Sequence, residues 1–101
     1  MVKKSILTLG VVALFATTGA VAAEAPAKYN QSCIACHASG AAGAPKTHDV
    51  AAWKPRMEKG MDTLVKHAHE GFNAMPPTAM CADCSNEDYK ALIEFMASPA
   101  K

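Results

Sequence analysis

The sequence predicts a small all-α protein of about four short helices joined by long loops. Apolar residues recur at helical spacing from Met61 to Phe72 and again from Tyr89 to Met96. Segments rich in Gly, Ala and Pro interrupt these patterns at 38–48 and 73–82. The alternation typical of a half-buried β-strand does not occur along the chain, and 101 residues allow one domain at most.

The first segment has the pattern of a secretory signal peptide. A basic start with Lys3 and Lys4 precedes the mostly apolar run 6–16, and small residues follow up to Ala23. We expect cleavage after Ala23, with Ala22 nearly as favourable. The alternative is an uncleaved membrane anchor, but this segment is barely long enough to span a bilayer and no stop-transfer pattern follows it. Export to the periplasm is therefore expected, with no membrane span after cleavage.

The domain that remains, 24–101, is small and nearly neutral. Removal of residues 1–23 from the 101 leaves 78, with 8 basic and 9 acidic residues. This balance disfavours nucleic acid as a partner, because no basic field would attract it. A domain of this size buries only about 60–65% of its surface. It usually needs a disulfide, a metal or a cofactor for stability, and export would allow disulfides to persist.

The first half of this domain predicts two helices. One covers 24–35, with Pro26 in its first turn. The loop 38–48 follows. The next segment, 49–59, is partly helical, and Pro55 must either begin a new helix or kink an existing one.

The second half predicts two further helices with clearer ends. Gly71 is expected to end the helix that starts near Met61. Pro76 and Pro77 then predict an extended segment. Ser85 is a good N-cap for the last helix, and Pro99 ends it. Its buried stripe is expected to consist of Tyr89, Leu92, Ile93 and Met96.

The strongest chemical signal is the C-x-x-C-H motif formed by Cys33, Cys36 and His37. This motif is the attachment signal for one covalent c-type haem. Two thiols one helical turn apart can bind two vinyl groups of a single porphyrin, while the adjacent imidazole reaches the iron. A dithiol redox site is the first alternative, but the βαβ pattern that it needs is missing. A zinc site shared with the second C-x-x-C pair is the other alternative, but the two pairs lie farther apart in sequence than the ligand pairs of a zinc ribbon usually do.

A haem with one protein ligand leaves a second axial position, for which methionine is the main candidate. Met75 precedes two prolines, so a stiff segment would hold its thioether in place. Met80 is the competing candidate, and some other side chain at this position remains a further alternative. Three other methionines lie on helical stripes and are expected in the core: Met57, Met61 and Met96. The remaining histidines are expected to be solvent-exposed or hydrogen-bonded: His48, His67 and His69.

The second pair, Cys81 and Cys84, repeats the spacing but is followed by Ser85 where a second haem would need His. A second haem is therefore not expected. In an exported protein the pair either closes a small disulfide ring or acts as a redox-active thiol pair.

The chain resembles the class I c-type cytochromes, and specifically the cytochrome c5 group. The resemblance covers essentially all of the domain. The segments that carry it are CIACH at 33–37, GAPK at 43–46, AAWKPR at 51–56, AHEGFNAMPP at 68–77, CADC at 81–84 and DYKALIEFM at 88–96. An MPP segment followed closely by C-x-x-C is much more specific than the haem motif alone.

The resemblance implies a small class I cytochrome c fold around one covalent haem, and it implies roles for individual residues. Cys33 and Cys36 would carry the thioethers, with His37 proximal and Met75 distal. Cys81 and Cys84 would form a disulfide. The implied haem surroundings are Pro45, whose carbonyl would accept a hydrogen bond from the proximal imidazole, and Trp53 and Arg56 near the haem edge, where Arg56 would pair with a propionate. This chain departs from the family at 78–80, where Thr-Ala-Met replaces the common Lys-Gly or Gly-Gly.

We therefore expect a periplasmic single-electron carrier that performs no chemistry on a substrate and is not an enzyme. Its partners would be redox proteins, an electron donor and an acceptor, and the chain would be a monomer or weak dimer. The alternatives are a haem-containing subunit of a larger respiratory complex, a ligand-binding or peroxidase-like haem protein, and an exported thiol-disulfide redox protein. The expected apolar lining of the haem is Leu64, Val65, Phe72, Leu92 and Ile93.

Overall fold

The computed structural model describes residues 25–100, so the signal peptide expected over 1–23 lies outside the described residues. Within residues 25–100 there are four α-helices: α1 (Ile34–His37), α2 (Val50–Met57), α3 (Met61–Glu70) and α4 (Asn86–Ala97). A π-helical turn, Tyr29–Cys33, leads directly into α1, and 3₁₀ turns occupy Ala41–Gly43 and Pro77–Met80. Residues 25–100 contain no β-strand, only an isolated bridge between Phe72 and Met75. The predicted all-α class is confirmed.

The first helical segment differs in its limits from the predicted helix over 24–35. Helical conformation begins at residue 27, because the carbonyl of Pro26 accepts a 2.8 Å hydrogen bond from the Tyr29 amide as the first turn. It runs on to His37 rather than stopping at 35, and the left-handed Gly40 then closes it with a 2.9 Å bond from its amide to the Cys36 carbonyl. The segment carries both thiols and the imidazole of the haem motif.

Helix α2 shows that Pro55 does not begin a new helix. Asp49 caps the helix by accepting a hydrogen bond from the Ala52 amide, and the helix continues through Pro55 to Met57. The missing N–H of Pro55 leaves the carbonyl of Ala51 without its usual partner inside the helix. The helix buries Trp53, which is 4% exposed.

Helix α3 ends as predicted, and the segment after it does not stay extended. Gly71 closes α3 with φ 97°, a conformation that favours glycine. The extended segment expected over 73–82 is wrong, because Asn73 and Ala74 form a turn and Pro77 opens a 3₁₀ turn. Proline suits the first position of such a turn, since its fixed φ is already helical. Three successive residues, Thr78, Ala79 and Met80, have positive φ.

Helix α4 is capped and buried as predicted. Ser85 accepts a hydrogen bond from the Asp88 amide, and the Asp88 carboxylate accepts one from the Ser85 amide, a reciprocal capping box. The helix ends at Ala97, just before Pro99. Its predicted stripe is fully confirmed as buried: Tyr89, Leu92, Ile93 and Met96. This stripe forms the core together with the π-helical turn, α2 and α3.

Lys28 ties the start of the described chain to the capping box of α4, and it forms ion pairs with both Asp83 and Asp88. The Lys28 ammonium donates to the Asp88 carboxylate at 2.8 Å and to the Asp83 carbonyl at 3.0 Å. The Lys28 hydrogen bond, followed by the bond from the Ser85 amide, lowers the pKa of Asp88 to about 2. The contribution of Asp88 to stability is therefore fully present above its ordinary pKa of 3.8 and is lost as the pH falls through about 2.

We predict that Asp88→Asn lowers the melting temperature at pH 7, and that the gap to the unmutated protein closes as the pH falls from about 4 to about 2. Thermal melts followed by circular dichroism across this range measure both effects. Glu87→Gln, which removes a neighbouring first-turn carboxylate that bonds to neither Lys28 nor Ser85, is the matched control. A gap of the same size at pH 2 and pH 7 would contradict the prediction.

Candidate functional site

A cleft in the core brings together the residues of the C-x-x-C-H motif and those of the segment after α3 that contains Met75. Its cavity volume is about 200 Å³, and the cleft is partly open to solvent. All seven residues that the resemblance assigns to the haem and its surroundings line it: Cys33, Cys36, His37, Pro45, Trp53, Arg56 and Met75. Residues far apart in sequence thus meet at one site.

Both thiols of the motif are free and line the cleft. Cys33 ends the π-helical turn and is 9% exposed, while Cys36 lies one turn later in α1 and is half-buried. Burial raises the pKa of the Cys33 thiol, and the nearby Ser32 hydroxyl opposes this effect. Cys33 is therefore held as a thiol at neutral pH, the form that can add across a vinyl group, and it is a poor nucleophile for disulfide exchange.

The imidazole of His37 is fixed by one hydrogen bond. Its Nδ1 lies 2.8 Å from the carbonyl oxygen of Pro45. Because a carbonyl only accepts, Nδ1 carries the proton and Nε2 keeps a free lone pair. Burial lowers the pKa of His37, with a smaller opposing effect from the Pro45 carbonyl and a further lowering by the charge of Arg56. The ring is a neutral imidazole whose Nε2 is available as a ligand.

Trp53 supports this imidazole from one side. The two rings are stacked, with centroids 5.6 Å apart and planes at 28°. The indole Nε1 donates to the Lys46 carbonyl at 2.9 Å, one residue after Pro45. Trp53 therefore fixes both the ring of His37 and the backbone that accepts its hydrogen bond.

Two methionines of the segment after α3, Met75 and Met80, also line the cleft. Met75 is half-buried, and its backbone exchanges two 2.9 Å hydrogen bonds with Phe72. A Cβ on Gly71 would lie 3.1 Å from Pro77 N and 3.2 Å from Met75 O, so the tight turn into this segment needs glycine. Met80 is 60% exposed, has φ 63° and follows two other left-handed residues. Met75 is thus the more firmly held of the two thioethers.

The rim of the cleft contains residues that sequence reasoning placed elsewhere. Phe72 lines the cleft as expected, although its side chain is 41% exposed. The expectation that His67 is solvent-exposed or hydrogen-bonded is wrong, since it is half-buried and stacks on Phe72 with centroids 4.0 Å apart. Helical periodicity does not extend past Gly71, so it could not pair these rings. Lys59, with its ammonium 5.2 Å from the Phe72 ring, was also missed.

The apolar and charged linings of the cleft are distinct. Leu64, Leu92 and Ile93 line it as expected, but Val65 does not and packs against the core clusters instead. Arg56 and Lys59 supply positive charge at the cleft, and no carboxylate from residues 25–100 lines it. The site therefore combines an apolar interior with a basic edge.

The second cysteine pair lies outside this lining. The sulfur atoms of Cys81 and Cys84 are at bonding distance, just before α4. The single proton of the Tyr89 hydroxyl is shared between the carbonyls of Thr78 and Cys81, at 3.0 and 3.1 Å, and so ties this segment to α4. His48 bonds to the Ser98 carbonyl, as expected for a histidine outside the site.

Neither a dedicated metal cluster nor a membrane span is found in the described part of the chain. Over residues 25–100, no three or more His, Cys, Asp or Glu side chains are grouped as ligands for a metal ion. Within the same range, no helix combines the length and the apolar character needed to cross a membrane.

The donor set of the cleft fits a covalent haem. Two free thiols one helical turn apart, a neutral imidazole with a free Nε2 and a half-buried thioether all face one apolar space. Histidine and methionine are the axial ligands found in cytochromes c. Arg56 and Lys59 at the edge suit the two carboxylates of a porphyrin.

Comparisons with known proteins find similar chains among the c-type cytochromes. Residues 20–96 match the family described as cytochrome c oxidase, cbb3-type, subunit III. Cytochrome c5 of Ectopseudomonas mendocina is 42% identical over 84 residues, covering 81% of this chain and 97% of the relative. The mono-haem ferrocytochrome c from Shewanella putrefaciens superposes with a TM-score of 0.66 at 57% identity, covering 81% of this chain and all of the other.

A further solved structure resembles the chain and includes a partner. It is described as an electron transfer complex of nitrite reductase with cytochrome c. The matching chain is 36% identical with a TM-score of 0.62, and the match covers 68% of this chain and 84% of that one.

We predict that Trp53→Phe lowers the free energy of unfolding by about 1–2 kcal/mol, because the stacked ring is kept while the bond to the Lys46 carbonyl is lost. Denaturant unfolding measures this change. Lys54→Ala, on the exposed side of the same helix, should change stability by less than about 0.5 kcal/mol. Equal stability of Trp53→Phe and the unmutated protein would contradict the role given to the indole N–H.

Proposed function

The chain belongs to the cytochrome c5 family of class I c-type cytochromes, and we propose that it is a periplasmic single-electron carrier with His37 and Met75 as axial ligands. The cofactor of this family is one covalent haem c. We assign its two thioether attachments to Cys33 and Cys36. The observation that carries the proposal is that all four side chains line one cleft.

When bound, the haem supplies a one-electron couple at its iron, and the chain sets the properties of that couple. His37 presents Nε2 because its Nδ1 proton is held by the Pro45 carbonyl. The thioether of Met75 is a soft ligand that favours the reduced state and so raises the potential. The apolar walls formed by Leu64, Leu92 and Ile93 keep water away from the haem. This disfavours the additional positive charge of ferric iron and so raises the potential further.

Met75 rather than Met80 is proposed as the distal ligand because of how each is held. The paired backbone bonds with Phe72 fix Met75, whereas Met80 is mostly in solvent. A thioether on a preorganised segment binds with less loss of conformational entropy than a mobile one. At the edge of the cleft, Arg56 is proposed to pair with a haem propionate, and its Nη1 bond of 2.6 Å to the Ala52 carbonyl holds the guanidinium in place.

The remaining assignments concern location, cross-linking and partners. We infer that residues 1–23 are a cleaved signal peptide and that the protein acts in the periplasm, where the Cys81–Cys84 disulfide would persist. Its partners are proposed to be a donor and an acceptor protein, as supported by the similar chain in a complex with nitrite reductase. Electron transfer alone makes it a carrier rather than an enzyme.

One other function is favoured by a specific observation. The matching family is described by an oxidase subunit, so the chain would then pass electrons within a larger respiratory complex. Sedimentation of a native periplasmic extract separates the two functions. A free carrier sediments at about the mass of a single small domain or a weak dimer, and a subunit sediments with its complex.

We predict that Met75→Ala abolishes the far-red charge-transfer band that reports thioether sulfur on ferric iron. The potential should fall by on the order of 0.1 V, within the roughly 0.8 V range that axial ligands set. Carbon monoxide should then bind the reduced protein at neutral pH, because the distal position is open.

Met80→Ala is the matched control, since it removes a thioether that lines the same cleft five residues later. It should keep the band, keep the potential within a few hundredths of a volt on the scale of those axial-ligand effects, and exclude carbon monoxide. The opposite pattern would assign the distal position to Met80. Carbon monoxide binding to the unmutated protein would instead favour a ligand-binding haem protein.

A further inference from the structure

Each of the three residues 45–47 forms a hydrogen bond either to the proximal histidine, His37, or to Trp53, whose ring stacks on it. The Pro45 carbonyl accepts from His37 Nδ1, and the Lys46 carbonyl accepts from Trp53 Nε1. The Thr47 amide donates to the His37 carbonyl at 2.7 Å. We call residues 45–47 the proximal clamp, because both its ends bond to His37.

A second chain of hydrogen bonds reaches this clamp from the π-helical turn. The Thr47 hydroxyl donates to the His37 carbonyl at 3.2 Å, and the Tyr29 hydroxyl lies 2.8 Å from the same Thr47 oxygen. A threonine hydroxyl has a single proton, and here the carbonyl takes it. The Tyr29 hydroxyl must therefore donate to Thr47, so the chain has one direction, from Tyr29 through Thr47 to His37.

Tyr29 is held firmly enough to act as the fixed end of this chain. Its side chain is 7% exposed, and its ring packs edge-on against Phe95 with centroids 5.1 Å apart. Its carbonyl accepts a hydrogen bond from the Ile34 amide, five residues on, the bond that defines the π-helical turn. Such turns are rare in proteins, and those that do occur often lie at functional sites.

We propose that Tyr29 and Thr47 are positioning residues for the proximal ligand, acting through the clamp on His37. The proposal rests on His37 being the iron ligand, as argued above. By holding the His37 backbone and the clamp together, the two hydroxyls keep Nδ1 aligned with the Pro45 carbonyl. This alignment sets how strongly the imidazole donates charge, and thereby tunes the potential of the iron.

The test follows the His37 Nδ1 proton in the reduced, haem-loaded protein by ¹⁵N NMR, together with the midpoint potential. Thr47→Val should speed exchange of this proton with water by roughly five- to tenfold, the factor that one lost hydrogen bond corresponds to. It should also raise the potential, because a less strongly bonded imidazole stabilises ferric iron less. Tyr29→Phe should do the same to a smaller degree, and Thr47→Ser should restore both values.

Ser85→Ala is the control for stability alone, since it removes the N-cap of α4, away from His37. It should destabilise the protein without changing the potential or the exchange of the Nδ1 proton relative to backbone amides. Equal effects of Thr47→Val and Ser85→Ala on that proton would overturn the positioning role. Ring protons of His37 that show no strong ring-current shift from the haem in the unmutated, reduced protein would instead contradict ligation by His37, and with it the proposed function.

Discussion

The hydrogen bond from His37 Nδ1 to the Pro45 carbonyl is the contact on which the rest of the site depends. It fixes the tautomer of the imidazole, the direction of Nε2 and the path of the loop after α1. The loop can return to His37 because left-handed Gly40 ends the first helix and Ala41–Gly43 forms a 3₁₀ turn. Trp53 then packs against the ring and fixes the next carbonyl. A five-residue motif therefore becomes a site only through contacts made by the segments that follow it.

The two sides of the cleft are built differently. The proximal side is a short-range arrangement in which the thiols, the imidazole and the accepting carbonyl lie within thirteen positions, from Cys33 to Pro45. The distal side is a turn between two helices, where Gly71 allows a close backbone approach and Tyr89 on α4 holds the 3₁₀ turn. Helices α3 and α4 supply the apolar wall between them. Both sides thus rely on α4, which is held in place by its capping box and its buried stripe.

The sequence predicts well what depends on local rules. The cap at Ser85, the closing Gly71 and the stripe of α4 follow from capping preference and helical period, and each lies where it is expected. The residues around the haem motif could be named from a pattern and a resemblance, and the fold brings them to one cleft.

What the sequence does not predict depends on contacts between segments. The π-helical turn that starts at Tyr29 has no sequence signal of its own. It depends on contacts of Tyr29 with distant residues, the packing of its ring against Phe95 and its hydrogen bond to Thr47. The stacking of His67 on Phe72 requires the chain to reverse at Gly71, after helical spacing has ended. Neither can be derived from periodicity, because each joins residues across the end of an element.

We propose that this chain is exported and carries one covalent haem in the cleft of its C-x-x-C-H motif. The most direct test is the intact mass of the protein secreted by a host that matures c-type cytochromes. The account predicts the mass of residues 24–101 plus one haem, less two hydrogens for the Cys81–Cys84 disulfide, with the haem on the peptide that contains Cys33 and Cys36. A mass equal to that of the bare chain would contradict it.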